Sequence, residues 1–447
     1  MSNFGAAFLL FYAISIYGTF FKDISWGINL YIMQYWLNPV DRWWYGGLPS
    51  VRWSFTVAIC ILAAFFIKKS KYKKTGLFDA PQIKWLLINA VWFAMISQWA
   101  VWPYMQSKFL QDHIKLIIFI LLAYKTIDTP KKFEGVMWTM MLGAYYVSYE
   151  SKRVGRNSDG RVEGTGPADA GGDGNNAAAS LVSVIPVLLY FVVRSNVVKT
   201  KLWKRLFLLF LMAFILNGVI LINSRGSFLG LVASCAYFGF YVFTNRKVTM
   251  KQRFQLIGVV ILGLCAFLYL ADDSFWERME SISEESESDT GGGGRKLFWS
   301  LSLEMVKEYP WGAGGWGFQR LSPHYVPPEY MPRNASVRAV HSLYFQCIIE
   351  RGYMGTVFFA ALLLSNFLFI KKTQKYLLNK GDMPSYFLGL AIESGYIAFL
   401  AAATFINRLN CEILYWQPLF IACFGNIYML QEQKAKRAEK AAAKSGK

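Results

Sequence analysis

Histidine is scarce in this chain, with three residues in 447, and acidic side chains are outnumbered, 28 Asp and Glu against 47 Lys and Arg, for a formal net charge of +19 at pH 7. The six cysteines, Cys60, Cys235, Cys265, Cys347, Cys411 and Cys423, lie in or beside apolar runs without paired spacing. That scatter argues against a disulfide framework and against a structural metal site. The first twenty residues lack a basic leader and a small-residue cleavage site, so they read as a retained helix and not as a removed signal. An internal repeat is also missing, which speaks against a transporter built from two inverted halves.

What is abundant is apolar surface. The composition is 55% hydrophobic and 17% aromatic, more than a soluble chain of this length can hide, and it predicts an all-α polytopic membrane protein. Apolar runs cover 6–21, 51–67, 85–102, 110–127, 133–149, 177–193, 206–222, 228–243, 256–270, 343–370, 386–406 and 413–430, with a shorter one at 24–37. The expectation is about 12 to 13 transmembrane helices. Basic loops at 68–74, 125–132, 194–205, 245–253 and 371–375, and the basic tail, fall at every second connection. The positive charge is therefore topology and not a nucleic-acid footprint, and it puts these loops and the C-terminus in the cytoplasm. The alternate loops, dominated by 150–176 and 271–340, face outside. Three parts follow: an N-terminal transmembrane bundle (1–150), a core carrying both long loops (151–430) and a basic cytoplasmic tail (431–447).

Long loops on one face usually carry the function. In the first, glycines and asparagines accompany Arg153, Arg156 and Arg161, which suits either a backbone wrapped around an anion or a polar connector. The tight turn Asn223-Ser-Arg-Gly-Ser-Phe keeps Arg225 at the membrane boundary, where a guanidinium can grip a phosphate at two points. The second loop has eight acidic residues between Asp272 and Asp289, read as a solvated segment, then Arg295 at the start of a helical run. The Asn334-Ala-Ser triplet is read as a chance glycosylation match. His341 precedes an apolar helix, and alone it is more often an interface residue than a base. The arginine-bearing elements on the same face shift that balance, because a neutral imidazole is the external group best matched to taking a proton. His113 and His324 are read as structural. Lys115 lies near the outer end of its span, where it snorkels or meets a phosphate, and Glu393 is expected to pair within the bundle.

Together the stretches RVEGTGPADAGGDGNNAAASL, NSRGSFLGL, GRKLFWSLSLEMVKEYPWGAGGWGFQ and VHSLYFQCIIERGYMG, in this order, resemble the O-antigen ligase and O-antigen polymerase superfamily of bacterial membrane glycosyltransferases. LNPVDRWWYGG and QDHIKLIIF look like the branch of putative O-glycosylation ligases associated with exosortases. The resemblance implies a fold like the C-type membrane glycosyltransferases and a cofactor-free, metal-independent, inverting transfer. A glycan would pass from undecaprenyl pyrophosphate to a hydroxyl on a glycan, lipid or protein acceptor, at the periplasmic face of the inner membrane. It implies His341 as base or orienting group and Arg225 and Arg161 on the pyrophosphate, with Arg295 as a further contact. Asn175, Asn176, Arg338, Glu350 and Lys115 complete the candidate binding set, Glu350 also shaping the helix with Gly352 and Gly355. Where the family often has Asn after the histidine, this chain has Ser342. Transfer to a protein hydroxyl remains an alternative, as does a non-enzymatic transporter, a label given to some members of the superfamily.

Overall fold

A computed structural model describes residues 1–72, 76–158, 160–197, 200–277, 279–280, 294–331 and 336–445. Parts of two basic loops, most of the acidic stretch and the Asn334 triplet lie outside the described residues. All regular structure among the described residues is helical. That is what a bilayer demands of a chain that does not close into a barrel, since backbone polar groups must be satisfied within each segment. The helices are α1 (Asn3–Phe21), α2 (Ser25–Leu37), α3 (Trp53–Lys68), α4 (Pro81–Ile96), α5 (Pro103–Thr126), α6 (Pro130–Val154), α7 (Gly174–Val182), α8 (Ile185–Val197) and α9 (Leu202–Ile222). There follow α10 (Arg225–Thr244), α11 (Met250–Leu270), α12 (Arg295–Glu308), α13 (Gly317–Tyr325), α14 (Leu343–Lys380), α15 (Met383–Ala403), α16 (Glu412–Gly425) and α17 (Gln431–Ser445). Local signals set several starts. Pro81, Pro103 and Pro130 occupy first helical positions, where no N–H is needed, and Thr249 forms a reciprocal capping box with Gln252 at α11.

Among the described residues nine helical segments are long and apolar enough to cross a membrane, fewer than the apolar runs alone predict. The difference has identifiable causes. α2 has 13 residues and α4 has 16, short of the roughly 20 that a bilayer core requires. α5 and α6, with 24 and 25 residues, have the length but are diluted by charged and polar side chains. The architecture is nonetheless the expected all-α polytopic bundle. α15, α16 and the α7–α8 segment form its interior, whereas α1, α3 and α11 line the outside and present most of their apolar side chains outward. Glu393, inside α15, is fully buried and accepts hydrogen bonds from Tyr237 (2.6 Å), Lys371 (2.9 Å) and Gln374 (2.8 Å), so it does pair within the bundle and ties α10, α14 and α15 together.

The connections sort to two ends. At one, Asp23 pairs with Lys71 and Lys132, Asp79 with Lys434, Glu134 with Arg194 and Glu432 with Lys380. These are the basic loops and the tail. At the other end, Arg42 meets loop 164–166, Val101 bonds Ala313, Asn223 bonds Ser274 and Ser342 bonds Asn407. Both long loops therefore meet at the end away from the basic clusters.

Candidate active site

The first long loop is a built structure and not a slack connector. Arg42, from the LNPVDRWWYGG stretch, is buried and donates to the carbonyls of Thr165 (2.9 Å) and Gly166 (2.8 Å). The Ala168 N–H bonds the Tyr35 carbonyl at 2.9 Å. Asp169 is fastened hardest: Arg408 donates to its Oδ1 and to its carbonyl, both at 2.8 Å, Tyr35 Oη donates to Oδ1 at 2.8 Å, and the Glu412 N–H reaches Oδ2 at 2.7 Å. Arg408 is almost wholly enclosed, with 1% of its side chain exposed. Removing one partner of such a pair strands a charge, so Arg408→Ala is expected to cost about 3 kcal/mol of stability. Thermal unfolding in detergent checks this; an unchanged midpoint would contradict it.

The loop's three arginines have separate fates. Arg153 pairs with Glu150 at 2.8 Å and lies over Trp43. Arg156 ties the end of α9, donating to the carbonyls of Leu221 and Ile220 and pairing with Asp272 of the acidic stretch. Arg161 alone keeps its fork unspent. Its side chain is 17% exposed, its nearest carboxylates are Glu163 at 3.7 Å and Asp173 at 3.9 Å, and its buried Nε and Nη2 make no hydrogen bond among the described residues. Asp173 caps α7 by accepting from the Asn175 N–H at 2.8 Å. Asn176 donates to Ala170 at 3.0 Å, and its buried Oδ1 has no hydrogen-bond partner among the described residues.

The second long loop ends in a Gly-aromatic turn laid directly on the start of α14. Ala313 and Gly314 donate to the carbonyls of Ile349 (2.8 Å) and Glu350 (3.1 Å), and Tyr353 donates back to Pro310 at 2.9 Å. This backbone-to-backbone approach leaves no room for side chains. Gly352, at φ 67°, kinks α14, and a Cβ there would collide with the Pro310 carbonyl; at Gly312, φ 99°, a Cβ would come within 2.7 Å of the Arg351 carbonyl carbon. Glu350 is fully buried and accepts from the Trp316 N–H (3.1 Å), Gln346 (2.9 Å) and Asn410 (3.2 Å). These contacts make it a peg between the turn and α14, in keeping with a residue that shapes the helix. Gln346 also accepts from the Leu409 N–H at 3.1 Å, which joins α14 to the segment carrying Arg408.

His341 emerges from this scaffold with φ 53°, in the left-handed region that only a few per cent of residues other than glycine adopt. Strain of this kind persists only where the surroundings impose it, and it concentrates at functional sites. The Ser342 N–H bonds Asn407 Oδ1 at 3.2 Å, so an amide from the α15–α16 connection meets the backbone beside the histidine. Burial pushes the imidazole pKa down to about 4, helped by the positive charges of Arg295 and Arg338 and opposed by Asp173. His341 is consequently neutral at pH 7. Arg295 opens α12 just after Gly294 at φ 76°, and Arg338 lies over the Phe298 ring at 5.1 Å.

One electrostatic neighbourhood therefore gathers His341, Arg295, Arg338 and Asp173, with Arg161 and the start of α7 alongside. Arg225, the first residue of α10, is half-buried in a turn fixed by Asn223 at φ 58°, whose amide donates to the Ser274 carbonyl at 3.1 Å. Lys115 stands apart: its partner is Asp112 on its own helix at 3.0 Å, and both side chains are exposed. His113 is enclosed between Phe93 and Tyr415, and His324 is exposed at the end of α13. Sequence reading missed Asp169, Arg408, Asn407 and the anchoring role of Arg42. Only the position of Arg42 in LNPVDRWWYGG gave a sign of it.

A neutral histidine and several guanidiniums thus lie at one end of a helical, multi-pass membrane bundle. Residues 207–360, from α9 into the first half of α14, match the family model described as O-antigen ligase, which supports the O-antigen ligase superfamily. The match takes in Arg225, Arg295, Arg338, His341 and Glu350. No curated protein matches the chain.

Proposed function

We propose that the chain transfers a glycan from undecaprenyl pyrophosphate to a hydroxyl acceptor, with inversion at the anomeric carbon, at the periplasmic face of a bacterial inner membrane. The O-antigen ligase match over residues 207–360 supports ligation or polymerisation of lipid-linked glycans in general. The observation that carries the finer reading is the strained, neutral His341 among Arg295, Arg338 and the unspent fork of Arg161.

A glycosyl pyrophosphate already contains a good leaving group. Catalysis then needs a base on the acceptor and positive charge on the departing phosphates. The imidazole of His341 takes the acceptor hydroxyl proton while the oxygen bonds the anomeric carbon from the face opposite the pyrophosphate. The bond to the phosphate oxygen breaks, and its electron pair leaves with the lipid pyrophosphate, held by Arg225, Arg161 and Arg295. Asn175 and Asn176 place amide donors at the start of α7, where an anion is also favoured. Substrate completes the base: phosphate charge offsets Arg295 and Arg338, which otherwise hold the histidine's basicity down. The arginines perform this charge stabilisation with no metal in the scheme. The periplasmic assignment is supported by the ion pairs of Lys71, Arg194, Lys380 and Lys434, basic-loop and tail residues that lie at the opposite end, as cytoplasmic loops do.

The test is reconstitution of purified protein in vesicles with a lipid-pyrophosphate-linked repeat unit. A product ladder identifies a polymerase and a single adduct a ligase. Loss of transfer in a chelator, restored by a divalent ion, would overturn the metal-free mechanism. Absence of any transfer, with solute uptake instead, would overturn the function.

A further inference from the structure

The Nε1 of Trp299 is buried and has no hydrogen-bond partner among the described residues. An indole N–H can only donate, and buried ones ordinarily find an acceptor, so the orphan requires an explanation. The ring is firmly placed. It stacks on Phe345 with centroids 5.1 Å apart and planes 11° from parallel, and tilts against Phe405 at 6.4 Å.

Each contact leads back to the site. Trp299 follows Arg295 by one turn of α12, so the two side chains share a face. Phe345 lies in the first turn of α14, just beyond His341. Phe405 packs at Gly226, where a Cβ would come within 3.2 Å of its ring, beside Arg225. An unmet donor is thus fixed between the elements that carry His341, Arg295 and Arg225. No acceptor among the described residues meets this donor, and an anionic substrate brings oxygens that can.

We infer that Trp299 is a donor-binding residue whose indole N–H hydrogen-bonds an oxygen of the pyrophosphate of the lipid-linked substrate. The inference rests on the reading of this site as one for a lipid pyrophosphate. Phe345 and Phe405 hold the ring edge toward that group, and the stack lets the donor be deleted while the surface is kept.

The decisive variant is Trp299→Phe, assayed in vesicles for glycan transfer and for inhibition by sugar-free polyprenyl pyrophosphate. A hydrogen bond to a charged group predicts that donor KM and the inhibition constant both rise about tenfold to a hundredfold. kcat is expected to change by less than about twofold, because the contact already exists in the ground state. Unchanged KM and inhibition constant would overturn the inference. A raised KM with unchanged inhibition by the sugar-free lipid would overturn it too, because the acceptor would then be a sugar hydroxyl. If wild-type protein neither transfers glycan nor binds polyprenyl pyrophosphate, the reading of the whole site fails. If wild type does both and Trp299→Phe behaves identically, only this inference fails.

Discussion

Replacing His341 with alanine is expected to lower kcat for glycan transfer by about 10²–10⁴-fold, the usual contribution of a positioned general base, with the protein inserted at normal levels. The backbone makes a second variant informative. At φ 53° a side chain costs roughly 1–2 kcal/mol that glycine does not pay. His341→Gly should therefore be as inactive as His341→Ala yet unfold at a higher temperature, which would show that the strain is kept for chemistry and not for stability. The pH profile checks the base directly. With a pKa of about 4, the imidazole stays in its neutral base form throughout the neutral range, so kcat/KM should stay flat from pH 7 to about 5 and fall only near 4. Arg295→Gln removes one of the charges that disfavour imidazolium, so the acid limb should move upward, although burial keeps it below the ordinary histidine value. Full transfer by His341→Ala, or an acid limb indifferent to Arg295, would remove His341 from the chemistry.

Much of the architecture was legible because it is written in local composition. Apolar length marks the spans, and lysine and arginine clusters mark one end, so the meeting of the described parts of the two long loops at the other could be read before any contact was known. Span number was harder, since α2 and α4 are apolar but too short. The site was legible as a set of residue types and not as an arrangement. Arg153, Arg156 and Arg161 look alike in a glycine-rich loop, and only tertiary contacts separate the one paired with Glu150 and the one tying α9 from the one whose fork is open. Arg408 meets Asp169 across 239 residues, a separation that no periodicity signals. Glu350 could be read as shaping its helix, but the three hydrogen bonds that peg it to the Gly-aromatic turn and to Asn410 could not. Lys115 shows the same limit from the outside, because sequence does not say which way a helix faces.

Arg225→Ala is expected to lower kcat by about 10²–10³-fold, the scale measured when one preorganised donor to developing negative charge is removed. The turn that presents it has little freedom. α9 ends at Asn223 in the left-handed region, α10 begins at Arg225, Asn223 is tied to Ser274, and Arg156 holds the last carbonyls of α9. A guanidinium delivered by so fixed a backbone can meet two phosphate oxygens at once, and an ammonium on a flexible stem cannot. Arg225→Lys should accordingly recover only part of the loss, while Arg156→Ala, whose partners are carbonyls and Asp272, should lower the unfolding temperature more than it lowers kcat. The three variants, assayed per inserted molecule, separate a phosphate grip from a structural tie. Full recovery by lysine would reduce Arg225 to a point charge, and near wild-type turnover in Arg225→Ala would leave the departing pyrophosphate to Arg161 and Arg295 alone.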